Sequence, residues 1–132
     1  MPIIQASNLV KSYESPDVSS KYFNAVDGIS LSINRGEIYG ILGPNGAGKT
    51  TTLEMLEGLK DIDGGTAFID SINVQDHPYQ VKQIIGVQLQ ANEYFDKMTL
   101  SELLNLFSAL YSLSNDPKEL LKKVNLEDKA NA

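Results

Sequence analysis

The sequence contains no cysteine. That absence excludes disulfide frameworks, thiolate metal sites and cysteine nucleophiles, and it permits a reducing compartment. Positive charge is also scarce: 11 Lys and Arg stand against 17 Asp and Glu, a formal charge of -6. A chain with that balance does not coat a polyanion, so general nucleic-acid binding is excluded and any phosphate it holds must be gripped locally. No stretch approaches the ~18 consecutive apolar residues of a membrane span. The start, MPIIQASNLVKSYE, has no basic segment followed by a long apolar run. The expectation is a protein soluble by itself, cytoplasmic by default, that would reach a membrane process only by docking onto another subunit. The single histidine, His77, sits in a turn ahead of Pro78 and reads as a surface loop residue.

The 132 residues fit one domain, without internal repeats or a low-complexity tract. Residues 3–13 alternate weakly and favour a strand, and the Ser, Pro and Asp of residues 14–24 suggest a hairpin loop. Ala25, Ile29, Leu31 and Ile33 indicate a second strand, ended by Asn34, Arg35 and Gly36. The apolar run EIYGILG, residues 37–43, reads as a buried central strand entering a glycine-rich stretch. TTTLEMLEGL then reads as a helix, stopped by Gly58 and the turn residues 61–65. Thr66–Ile69 reads as a strand, Pro78 starts a short helix through Gln83, and residues 84–90 return to strand. Strand and helix in alternation imply an α/β layer fold.

From Thr99 onwards the pattern is helical. Thr99 and Glu102 form a capping-box pair, and Leu100, Leu103, Leu104, Phe107, Leu110 and Tyr111 recur at helical spacing, most simply as a packing face. Asp116 and Pro117 provide an N-cap and first-turn pair for a second helix carrying Leu120, Leu121 and Val124. The division expected is therefore 1–91, an α/β core part, and 92–132, the beginning of a helical subdomain.

The chemistry lies in GPNGAGKT: Gly43, Pro44, Asn45, Gly46, Ala47, Gly48, Lys49 and Thr50. It matches G-x-x-x-x-G-K-[ST] completely, between an expected strand and an expected helix. The glycines let successive backbone N–H groups point inward at phosphate oxygens, and the start of the helix adds its positive dipole end. Lys49 supplies a mobile charge for β and γ phosphates, the Thr50 hydroxyl is placed to ligate Mg²⁺, and Thr51 is placed for the α phosphate. The segment TAFID imitates a strand ending in a metal-binding Asp, but Asp70 leads into a turn and is not assigned to Mg²⁺.

LVKSYE, AVDGISLSINRGEIYGILGPNGAGKTTTLEMLEGL, GTAFID and IIGVQLQ together resemble, in order and spacing, the nucleotide-binding domains of ABC transporters. The resemblance implies a P-loop NTPase core of the ABC ATPase type with an antiparallel β hairpin region. It implies that Tyr13 stacks on adenine, and that Gln90, rather than its neighbour Gln88, contacts Mg²⁺ and the attacking water. Catalytic contributions would then fall to Lys49 and Gln90, metal contacts to Thr50 and Gln90, and the cofactors would be ATP and Mg²⁺. The partners implied are a transmembrane permease and a second ABC ATPase domain in a head-to-tail dimer, at the inner face of the cell membrane.

The family's LSGGQ-like signature, its apolar strand ending in Asp-Glu and its switch histidine do not occur in this sequence. The expectation is a truncated cassette that binds nucleotide with negligible turnover, that self-associates through uncovered strand edges, and whose parent hydrolyses ATP to drive transport, with a lean towards export. Two other readings share these residues: a soluble ABC ATPase without a membrane partner, and a non-catalytic nucleotide-binding module.

Overall fold

The computed structural model describes residues 1–16, 21–88 and 97–132, which fall into two compact units, Met1–Gly86 and Val87–Ala132. In the first unit, strands β1 (Pro2–Glu14), β2 (Tyr22–Asn34), β3 (Gly64–Ile69) and β4 (Ile72–Asn73) form one sheet of order β2-β1-β3-β4. Every pairing in it is antiparallel. Two helices belong to the same unit, α1 (Lys49–Leu56) and α2 (Pro78–Ile84).

The weak alternation of β1 has a structural cause. Its buried residues Ala6 and Leu9 are an odd number of positions apart, which a regular strand would send to opposite faces. The register with β2 shifts between Ala6 and Leu9, and Asn8 takes a positive φ of 51°, so the irregularity returns Leu9 to the core side. In β3, by contrast, Ala67 and Ile69 are buried two apart, as simple alternation requires. These residues join Val26 and Leu31 of β2, Met55 and Leu56 of α1, and Ile62, Val74 and Val81 in one apolar cluster.

Helix α1 ends where Gly58 was expected to stop it. Gly58 has φ 68°, its N–H donates to the Met55 carbonyl, and the Leu59 N–H reaches back to the Glu54 carbonyl. That is the paired reversal of a left-handed helix terminus. Pro78 opens α2 at its first turn, and His77 at the N-cap is exposed, as the sequence suggested.

Two expected strands are not formed. Residues 37–44 have no regular structure, and after Ile84, which closes α2, residues 85–88 have none either; Leu89 and Gln90 lie outside the described residues. A central strand exists only with neighbours to take its backbone hydrogen bonds, and among the described residues no strand pairs with either segment. Ile41 packs on the core, while Ile38 and Leu42 are 100% and 94% exposed. The apolar run thus records burial on two faces, of which the described residues cover one.

The second unit holds α3 (Leu100–Leu110), α4 (Pro117–Lys123) and one 3₁₀ turn, Glu127–Lys129. The capping box is complete: Glu102 N–H donates to the Thr99 hydroxyl, and the Glu102 carboxylate accepts from Thr99 N–H at 2.8 Å. These bonds hold the Glu102 carboxyl below the usual glutamate range. Asp116 caps α4 by accepting from Lys118 N–H at 2.9 Å. The carbonyls of Ala132 and Ala130 accept from Leu100 and Ser101 N–H, using up first-turn donors of α3. None of the residues of α3 is buried, so its apolar face is less covered than a packing stripe predicts.

Candidate functional site

Residues 43–50 curl from the irregular segment into α1. Gly48 is the helix N-cap in a left-handed conformation, φ 86°, and Gly46 is left-handed at φ 82°. Gly48 also has no room for a side chain, since a Cβ there would fall 2.3 Å from the Ala25 carbonyl oxygen. Ala25 is the extra residue of a bulge in β2: Lys11 pairs with Val26 and Ser12 with Asn24, leaving Ala25 between them. The glycine-rich turn is thus braced against β2 by backbone contact.

The Lys49 ammonium donates to the Gly43 and Pro44 carbonyls at 2.5 and 2.7 Å, which draws the two ends of the turn together around the charge. Among the described residues no carboxylate pairs with it. Ala47 N–H closes the turn onto the Pro44 carbonyl at 3.2 Å.

The three threonines that follow separate by helical position. Thr52 is buried and donates its hydroxyl to the Gly48 carbonyl at 2.8 Å, a structural bond. Thr51 is half-buried, and Thr50 is exposed at the mouth of the turn. The first intrahelical donor is Thr52 N–H, bonded to Gly48 at 2.9 Å. The N–H groups before it have no intrahelical acceptor by helix geometry.

Helix α1 differs here from α3 and α4. Those helices have capping side chains and an acid in the first turn, Glu102 and Glu119. Helix α1 has no capping side chain, no acid in its first turn, and a lysine as its first residue. A cation at that end opposes the helix dipole by about 0.3–1 kcal/mol. Orphan N–H groups, dipole and ammonium together fit an anion with several oxygens, and the residues present therefore suit a triphosphate.

Tyr13 lies near this turn through the β1–β2 ladder. It pairs with Phe23, two residues along β2 from Ala25, or roughly 7 Å at the usual strand rise. The Tyr13 and Phe23 rings are 6.0 Å apart between centroids, tilted by 37°, and Phe23 is 48% exposed. Lys60 Nζ is 5.3 Å and Lys11 Nζ 5.8 Å from the Tyr13 centroid. A hydrogen bond with the Tyr13 side chain, and then the Glu54 carboxylate, hold Lys60 charged above the ordinary lysine range.

Asp63 accepts from Ser12 N–H at 2.8 Å and from Lys11 Nζ at 3.0 Å, so it grips β1 beside Tyr13. The Ser12 bond first, and the Lys11 charge with it, hold the Asp63 carboxyl below its ordinary range.

The structure thus gathers residues 43–51 in one turn and helix start, with Tyr13 on the adjoining hairpin, while Gln90 lies outside the described residues. Gln88 is exposed. Asp70 pairs with Arg35 at 3.0 Å. Sequence reading missed Phe23, assigned there to a loop, and Lys60, which carries no local signal. A cleft of about 270 Å³ lined by Ile29, Leu31, Tyr39, Leu42 and Lys49 adjoins the turn on the side of the irregular segment.

The sequence pattern of the ABC transporter family matches residues 26–132. The chain is 36% identical over 136 residues to the Nod factor export ATP-binding protein I of Ralstonia nicotianae, covering 99% of this chain and 40% of that protein. It is 38% identical over 117 residues to the ABC transporter ATP-binding protein NatA of Bacillus subtilis, covering 84% of this chain and 48% of that one. Among solved structures it matches a dimeric bacterial ABC transporter cassette with TM-score 0.79 and 24% identity, over 97% of this chain and 60% of the other. A dimeric post-hydrolysis cassette bound to ADP and Pi matches with TM-score 0.78 and 25% identity, over the same shares.

The chain belongs to the ABC transporter family and carries part of its ATP-binding domain, in the α/β fold of ABC ATPase cassettes. It spans less than half the length of these two curated relatives.

Proposed function

We propose that this chain is the nucleotide-gripping part of an ABC transporter ATP-binding subunit and that the turn at 43–50 holds MgATP. The observation that carries this reading is the start of α1: a left-handed glycine cap, no capping side chain, no first-turn acid and Lys49 in first place. Each is unfavourable for a helix alone and favourable beside a polyphosphate. The amides of Gly46 and of residues 48–51 donate to phosphate oxygens, Lys49 neutralises the β and γ phosphates, and Tyr13, with Phe23 beside it, provides a stacking surface for adenine.

Thr50 presents a hydroxyl oxygen, a hard donor of the kind Mg²⁺ takes while keeping several waters. When bound, Mg²⁺ would supply charge neutralisation for the phosphates, held by the Thr50 hydroxyl. Gln90 is proposed as a second contact to it and to the attacking water.

In the whole subunit, the 1–91 part is proposed as core and 92–132 as the beginning of the helical subdomain. Hydrolysis there would require a second cassette head to tail, and coupling it to transport would require a permease, at the cytoplasmic face of the membrane. No helix among the described residues is long and apolar enough to cross a membrane. Similarity to a Nod factor export protein favours export.

Replacing the lysine tests the reading directly. In Lys49→Ala, one charge-assisted contact is removed, and MgATP affinity falls about 10- to 100-fold while the far-ultraviolet circular dichroism stays as in the wild type. Unchanged affinity in a calorimetric titration would refute the assignment.

A further inference from the structure

From the contacts around Tyr13 we infer that Lys60 is a positioning residue for the nucleobase platform, tying the Tyr13 ring to the phosphate-gripping helix. The inference rests on the assignment of Tyr13 as that platform. The contacts of Lys60 and of the segment that bears it converge on this.

The Lys60 ammonium lies 5.3 Å from the Tyr13 ring centroid. It also lies 3.5 Å from the carboxylate of Glu54, which is part of α1. The backbone N–H groups of Leu59 and Lys60 both donate to the Glu54 carbonyl, at 2.9 and 3.2 Å, so the segment bearing Lys60 is fastened to the end of α1. A few residues on, Asp63 N–H donates to Val10 at 3.0 Å and its carboxylate takes Ser12 N–H at 2.8 Å. The same short segment therefore holds α1 at one end and the strand of Tyr13 at the other.

Positioning of this kind acts on the base and not on the phosphates. Lys60 follows the C-terminal end of α1, whereas the phosphates are assigned to the N-terminal end. A cation fixed against a ring limits its rotation and keeps it presented to an incoming base.

The test compares magnesium ATP with magnesium tripolyphosphate, which lacks base and ribose, in calorimetric titrations of the full chain. In Lys60→Met the affinity for ATP falls about two- to fivefold while that for tripolyphosphate is unchanged, and Lys60→Arg restores the ATP value. In a Tyr13→Ala background, Lys60→Met has no further effect. If Tyr13→Ala itself leaves ATP affinity unaltered, the platform assignment fails, and this inference with it. If Tyr13→Ala weakens ATP but Lys60→Met does not, only the role of Lys60 is overturned. Equal losses for ATP and tripolyphosphate would make Lys60 a general attractor of anions and overturn the positioning role as well.

Discussion

Gly48→Ala, set beside Gly46→Ala, tests how the glycine-rich turn at 43–50 is held. Both glycines have positive φ, 86° and 82°. Each replacement therefore forces an L side chain into left-handed backbone, at roughly 1–2 kcal/mol. Their surroundings differ. A methyl group at 46 meets nothing within 4 Å, whereas one at 48 falls 2.3 Å from the Ala25 carbonyl oxygen and 3.2 Å from a Val26 methyl.

Neither obstacle yields easily, because one is backbone at a bulge and the other belongs to a side chain only 1% exposed. Overpacking of that kind adds about 1–3 kcal/mol. The destabilisation expected is about 2–5 kcal/mol at 48 against about 1–2 kcal/mol at 46. With roughly 4–8 °C of midpoint lost per kcal/mol in a unit of about 60–100 residues, the Gly48 variant melts on the order of 10 °C below the Gly46 variant. Thermal unfolding followed by circular dichroism measures the difference. Coincident midpoints would show that the turn does not rest on β2 at all.

Thr50→Val keeps the shape of the helix start and removes the hydroxyl. It is expected to lower ATP affinity measured with Mg²⁺ to near the value measured in chelator, and persistence of the full Mg²⁺ enhancement would exclude Thr50 as a ligand. Asp63→Asn tests the clamp on β1. Because the folded-state carboxyl titrates below its ordinary value of 3.8, its contribution is complete above that value and is lost as pH falls through the lower folded one. The variant is therefore less stable than the wild type at neutral pH, and the gap between them narrows once the pH falls below 3.8. A gap in denaturation midpoint that stays constant throughout acidification would contradict this.

Legibility followed the range of the interactions involved. The glycine-rich turn, the Thr99–Glu102 box and the Asp116–Pro117 start could be read because each is closed by bonds within a few residues. The Ala6–Leu9 irregularity could not, since it is fixed by the register between β1 and β2, and only the weakness of the alternation hinted at it. The EIYGILG run reads as a strand from its apolarity, yet apolarity reports burial rather than pairing, and no ladder partner lies among the described residues. Phe23 and Lys60 were missed for a related reason: each reaches Tyr13 across the fold, one by strand pairing and one from beyond the end of α1.

The ammonium of Lys49, held by two carbonyls of its own turn, has a bearing on how affinity should be interpreted. An ammonium has three N–H donors, so an anion entering there meets the one left over and gains more only by displacing Gly43 or Pro44. The heat of such a displacement is a difference between two sets of charge-assisted bonds. It would also couple ligand entry to the curvature of the backbone, since the bonds surrendered are those that draw the two ends of the turn together.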